Sequence, residues 1–137
     1  MQCTPSVFLD GNRNGTRDAD ERGLPGVMVS NGDRVVWTNK QGVYALPAER
    51  GKTLFVIKPA GYALPRRADG LPDSFANQPG MLQGLKFGGV TKADPLCRNF
   101  ALWLDESPVK ADMTVLVFGD PQLKSMHAVA YYPQALV

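Results

Sequence analysis

Short apolar runs closed by glycine, proline or asparagine recur along the first part of the chain. Ser6–Leu9 (SVFL), Val27–Ser30 (VMVS), Arg34–Thr38 (RVVWT), Val43–Leu46 (VYAL) and Thr53–Lys58 (TLFVIK) have the length and the β-branched and aromatic content of strands. The segments between them are turn sequences: Gly23-Leu24-Pro25-Gly26, the hairpin signal Asn31-Gly32-Asp33, and Asn39-Lys40-Gln41-Gly42. Strands this closely spaced leave no room for crossover helices, so the pattern predicts an all-β, antiparallel sandwich rather than a parallel sheet. From Pro59 to Pro95 the pattern breaks up into glycine, proline, aspartate and asparagine with scattered apolar residues, and a long loop is expected there. Asn99–Leu104 (NFALWL) restores strand character and is expected to close the sandwich.

A different pattern follows. Asp105–Asp112 (DESPVKAD) is polar and contains a proline, as a linker does. Met113–Phe118 is then almost uninterruptedly apolar and runs into Gly119-Asp120-Pro121-Gln122. A strand buried on both faces that ends in an acidic turn is how an α/β sheet presents a carboxylate at its carboxyl edge. Leu123–Tyr132 has the makings of a short helix, which Pro133 would end. The expected organisation is a β-sandwich over 1–104, a linker over 105–112, and an orphan strand with a short helix over 113–137 that opens another domain.

Composition narrows the function classes. Among 137 residues, 44% are hydrophobic and 20% charged, which is globular rather than disordered, and the net charge of +2 is spread without a basic stripe. Nucleic acid is therefore not an expected partner, and no apolar run is long enough to span a membrane. Trp37, Tyr44 and Trp103 are expected in the sandwich core, Arg66 and Arg67 in water, and Tyr62, Phe75 and Phe87 at an interface with a further domain. The two cysteines, Cys3 and Cys97, lack metal-type spacing. Two fates stay open: they pair, or Cys3 carries a lipid.

The most specific motif is Asp10–Glu21, DGNRNGTRDADE, which meets D-x-D/N-x-D/N-G-x5-E at Asp10, Asn12, Asn14, Gly15 and Glu21. A hard cation the size of calcium takes six to eight oxygens, and alternate residues of a tight loop can aim inward to supply them. In that geometry Gly15 permits the turn, Thr16 offers its backbone carbonyl, Asp18 acts directly or through water, and Glu21 closes the site. The flanks are β-like rather than helical. Arg13 and Arg17 lie within the loop and oppose a cation, which puts the expected affinity in the weak range of about 10⁻⁴–10⁻³ M. The alternative is a solvated polar turn.

The same residues carry resemblances. Asp10–Ser30 resembles the calcium-binding B-type repeats of Gram-positive surface adhesins, whose loops lead into a similar G-I/L-x-G-V strand. Gly26–Pro47 (GVMVSNGDRVVWTNKQGVYALP) is similar to carboxypeptidase-regulatory-like and transthyretin-like sandwiches, in which Tyr44 would be the buried aromatic. The order of all these segments resembles the N-terminal region of bacterial calcineurin-like metallophosphoesterases. There a segment like Phe55–Pro65 (FVIKPAGYALP) and a strand like Asn99–Leu102 (NFAL) precede an enzyme that opens on a strand like VLVFGDPQ.

That resemblance implies a transthyretin/Ig-like accessory sandwich ahead of a metal-dependent phosphoesterase. It also implies that Asp120 and Gln122 match the first D-x-H/Q metal motif of an enzyme working with two divalent metals. The later GD-x-x-D, GN-H/E and GH-x-H motifs have no counterpart here, and His127 is the sole histidine. The chain alone is therefore expected to be inactive, with the catalytic domain of the same polypeptide as its partner and a secreted, periplasmic or cell-surface location. The rival expectations are an adhesin-type calcium-binding spacer and a carbohydrate-binding sandwich.

Overall fold

The computed structural model of the chain describes residues 4–80 and 92–107. Contacts divide the chain into two units, Met1–Ser107 and Pro108–Val137, and all the described residues belong to the first. Asp120, Gln122, His127, Phe87, the expected strand over Met113–Phe118 and the expected helix after it all lie outside the described residues.

Among the described residues seven strands form two sheets and no helix occurs. They are β1 (Val7–Leu9), β2 (Met28–Ser30), β3 (Val35–Trp37), β4 (Lys52–Ile57), β5 (Tyr62–Ala63), β6 (Phe75–Gln78) and β7 (Phe100–Leu104). One sheet has the order β1-β7-β5 and the other β3-β2-β4-β6. The fold is all-β and sandwich-like, as the strand spacing predicts.

Alternation along the strands builds the core. In β4, Leu54 and Val56 are buried while Thr53, Phe55 and Ile57 are only partly so, the period of two that a strand imposes. They meet Val29 of β2, Ala76 of β6, and Val7, Phe100 and Leu102 of the other sheet. Each large side chain so buried is worth about 1.5–3 kcal/mol. Tyr44 is buried among them, its ring 6.2 Å from that of Phe100, as expected of that aromatic. The Asn31-Gly32-Asp33 hairpin also forms: Asn31 accepts the N–H groups of Asp33 and Arg34 on its Oδ1 and joins β2 to β3.

Five expectations are corrected. Val43–Leu46 is not a strand, and only an isolated bridge joins Val43 to Ser6. The reason is local, because Asn39 Oδ1 takes the N–H groups of Gln41 and Val43 and its own N–H bonds the Val43 carbonyl. The turn thus uses the ladder groups a strand would need.

The 59–95 stretch is not loop throughout. It contains β5, paired with β7, and β6, paired with β4 from Lys52↔Gln78 to Phe55↔Phe75. FANQ has little strand signal of its own; pairing with β4 makes it one.

The sandwich is not wholly antiparallel. β1 and β7 run parallel, with Val7 opposite Phe100 and Leu9 opposite Leu102.

Trp37 is 64% exposed and Trp103 is half-buried outside the main core, so neither fills it. Val36 of β3 packs against the core, which turns its neighbours Val35 and Trp37 to the opposite face.

Arg66 is exposed, but Arg67 is not simply solvated: its guanidinium lies 4.7 Å from the centre of the Phe75 ring.

Candidate metal centre

The Asp10–Glu21 loop leaves β1 and packs back over its outer side. Val7 belongs to the core cluster and Leu9 packs against it, so alternation turns Ser6, Phe8 and Asp10 to the opposite face. All three are nonetheless buried, Phe8 and Asp10 completely. For Ser6 and Asp10 the loop supplies part of the cover. Arg17 donates to Ser6 Oγ at 3.0 Å, and the backbone N–H groups of Asn14 and Gly15 donate to the Asp10 carboxylate at 3.1 and 2.8 Å.

Asp10 is fixed from both ends. Its backbone N–H donates to the Leu102 carbonyl at 2.8 Å, which extends the β1–β7 pairing into the loop. Its two carboxylate oxygens then receive the turn of Asn14 and Gly15. Gly15 adopts φ 75° and Arg13 φ 59°, so two left-handed residues alternate with Asn12 and Asn14 and curl the chain tightly.

The remaining expected ligands face each other across this curl. Asn12 Nδ2 and Asn14 Nδ2 both donate to Asp18 Oδ2, at 2.8 and 2.9 Å. Their Oδ1 atoms accept the N–H groups of Asn14 and Thr16, at 3.1 and 2.6 Å. Glu21 closes the loop, its Oε1 accepting from Gly11 at 2.9 Å and its Oε2 from Asp18 at 3.0 Å. Two amide groups thus turn their positive ends onto one carboxylate oxygen. A cation there would make the same contact more strongly if the two carboxamides rotated to offer oxygen.

Among the described residues no three histidine, cysteine, aspartate or glutamate side chains converge as a metal site. Any metal would therefore rely on the neutral oxygens of Asn12, Asn14 and the Thr16 carbonyl alongside the carboxylates. Asp120 and Gln122 are not among the described residues, so only the loop half of the expected ligand set can be located.

The two arginines behave differently from their expected role. Arg17 is tied to Ser6, while Arg13 lies over the Trp103 ring at 5.3 Å and pairs with Glu106 at 3.8 Å. Both charged heads are held by partners outside the loop, and they serve as its anchors. Sequence reading missed Ser6, Trp103 and Glu106 in this role. The signal was present in Arg13 and Arg17, whose length lets a loop residue reach a neighbouring strand, but nothing local names their partners.

Cys97 takes part in a disulfide; Cys3, the other cysteine of the sequence, lies outside the described residues. No helix among the described residues is long and apolar enough to cross a membrane.

A family model described as the N terminal of calcineurin-like phosphoesterase matches residues 11–84, which takes in the loop from Gly11 onward and strands β2 to β6. Neither the curated proteins nor the solved structures contain a match to this chain.

Proposed function

The chain belongs to the family of N-terminal domains of calcineurin-like phosphoesterases, and from that premise we propose that it is a non-catalytic accessory domain stiffened by calcium at Asp10–Glu21. Membership implies a catalytic domain in the same polypeptide. That domain would hydrolyse a phosphate ester with two divalent metals, which activate water and clamp the phosphate oxygens. Asp120 and Gln122 would supply part of the metal set, and the histidines it needs would come from the catalytic domain, because His127 is the only one here.

The observation that carries the calcium reading is the buried Asp10, which holds Asn14 and Gly15 while the carboxamides of Asn12 and Asn14 converge on Asp18. The residues fit the ion by donor chemistry, since every candidate ligand is oxygen and the loop has the required glycine. Asp10, Asn12, Asn14, Thr16, Asp18 and Glu21 would hold it. Calcium would add a cross-link to a loop already tied to Ser6 and Asp10, and so would resist fraying of β1.

A secreted, periplasmic or cell-surface setting is supported by the disulfide at Cys97, since such bonds persist in oxidising compartments. Weak calcium affinity suits surroundings where the ion is abundant.

Thermal unfolding with added calcium, magnesium or excess chelator tests the loop. A calcium-specific rise in midpoint is expected, and identical midpoints in all three would overturn it. For the accessory role, residues 1–107 should fold without phosphatase activity while the complete polypeptide hydrolyses p-nitrophenyl phosphate. Hydrolysis by residues 1–107 alone would defeat that reading.

A further inference from the structure

Beside Trp103 lies a groove of about 740 Å³ lined by Lys58, Tyr62, Leu64, Arg66, Trp103 and Asp105, together with Ala63 and Pro72. Its parts come from three separate stretches. β5 and β7 pair Ala63 with Trp103 and Tyr62 with Leu104, so Trp103 shares a face of the sheet with Ala63 while Tyr62 turns to the other face and packs against the core. The chain entering β5 brings Lys58, and the chain leaving it brings Leu64 and Arg66.

The lining has a definite chemical character. Trp103 is half-buried, flat and apolar, and Tyr62 and Leu64 reach the groove from the core side, with Pro72 also lining it. The two cations are exposed, and the hydrogen bonds they make go to backbone carbonyls. Lys58 Nζ donates to the backbone carbonyls of Tyr62 and Pro59 at 2.8 and 3.4 Å, and Arg66 donates to the Gly70 carbonyl at 3.3 Å. Among the described residues neither forms an ion pair. Asp105 is held below the usual carboxylate range, chiefly by the N–H of Ser107 and to a lesser degree by Lys58, so it stays ionised and accepts hydrogen bonds. The Arg13 guanidinium also lies 5.3 Å from the centre of the Trp103 ring, which helps to hold the indole in place.

A ligand that uses all of this needs an apolar ring face, hydroxyl donors and an anionic group. Pyranose rings present a face of C–H bonds that packs on aromatic carbon, and their hydroxyls suit a carboxylate acceptor. Lys and Arg together favour phosphate, Arg through paired N–H groups and Lys as a point charge. We propose that this groove binds a phosphorylated hexose, with the sugar ring against Trp103, the phosphate between Lys58 and Arg66, and a ring hydroxyl on Asp105. The site is separate from the calcium loop and stands whether or not the loop takes a metal.

The chain has two tryptophans, so Trp37→Phe leaves Trp103 as the sole indole reporter. In that background, titration with glucose 6-phosphate should give a saturable fluorescence change. Glucose alone and inorganic phosphate alone should each bind about tenfold or more weakly, since each lacks one half of the contact set. Lys58→Gln and Arg66→Gln alter exposed side chains and leave the fold intact. Each should weaken glucose 6-phosphate by about tenfold while leaving the weak glucose response unchanged. No saturable change, inorganic phosphate binding as tightly as the sugar phosphate, or Lys58 and Arg66 variants that bind like the parent would each overturn the proposal.

Discussion

Tyr44 donates its phenolic hydrogen to the backbone carbonyl of Arg98 at 2.5 Å, joining residues 54 positions apart. The ring lies in the core beside Phe100, so one side chain both fills the interior and ties down the approach to β7. Tyr44→Phe keeps the packing but leaves that carbonyl without its partner, which should cost about 1–3 kcal/mol in denaturant unfolding. Burial also lifts the phenol's ionisation well above its usual 10.0, against a smaller opposing pull from Arg98. The unfolded chain loses this proton near pH 10.0 while the folded chain keeps it. Stability from this group is therefore complete below pH 10.0 and declines as pH rises beyond it toward the folded value. A pH series of melting midpoints should show a flatter alkaline limb in Tyr44→Phe than in the parent, and parallel limbs would contradict the assignment.

Gly42 should tolerate no side chain. It has φ 75°, and a Cβ there would lie 2.6 Å from the Gly23 Cα and collide with the Val7 carbonyl. That carbonyl is occupied in accepting the Leu24 N–H at 2.8 Å, so it cannot move away freely. Gly51 has φ 84° but open space around it. Gly51→Ala should thus cost only the left-handed strain of about 1–2 kcal/mol, while Gly42→Ala adds a backbone clash and should be clearly worse. Equal losses for the two would mean that the close crossing near Gly23 does not exist.

Asp10 and Asp18 separate folding from metal binding. With chelator present, Asp10→Ala removes the acceptor for Asn14 and Gly15 and should lower stability by about 1–3 kcal/mol. Asp18→Ala, at the open side of the loop, should be milder without calcium but should abolish the gain from it. For a dissociation constant of about 10⁻⁴–10⁻³ M, roughly 10 mM calcium should stabilise the parent by about 1.4–2.7 kcal/mol. Unfolding curves with calcium and with chelator for the three proteins check this. A parent-sized calcium gain in Asp18→Ala would remove that residue from the ligand set.

Trp37 and Phe100 test which aromatic residues carry the fold. Trp37 is 64% exposed and Phe100 is fully buried. Trp37→Thr should stay within about 0.5 kcal/mol of the parent, whereas Phe100→Ala should lose about 3–5 kcal/mol. Chemical denaturation of both variants measures the contrast, and a heavily destabilised Trp37→Thr would return that residue to the core.

Much of the architecture could be read from local sequence. The β2–β3 hairpin was visible because Asn31 satisfies its own turn through Oδ1. The inward set of β4 was visible because Leu54 and Val56 alternate with outward residues. The candidate ligands of the loop were visible because their spacing is a property of consecutive residues. Val43–Leu46 misled because its apolar pattern resembles a strand while Asn39 consumes the hydrogen bonds. Trp37 misled because apolar character does not say which face of a strand is covered.

Sequence alone determined that the chain builds a β-sandwich, that Asp10–Glu21 places oxygen donors at alternate positions, and that Tyr44 is a core aromatic. Those follow from interactions spanning a few residues and from the period of a strand. Only the tertiary structure decided that β1 lies parallel to β7, that the loop is anchored by Arg17 on Ser6 and Arg13 on Trp103, and that Lys58, Arg66 and Trp103 share a groove. The physical reason is that such contacts depend on which distant strands pair: Ser6 meets Asn99 across a separation of 93 positions, and no local pattern encodes that choice.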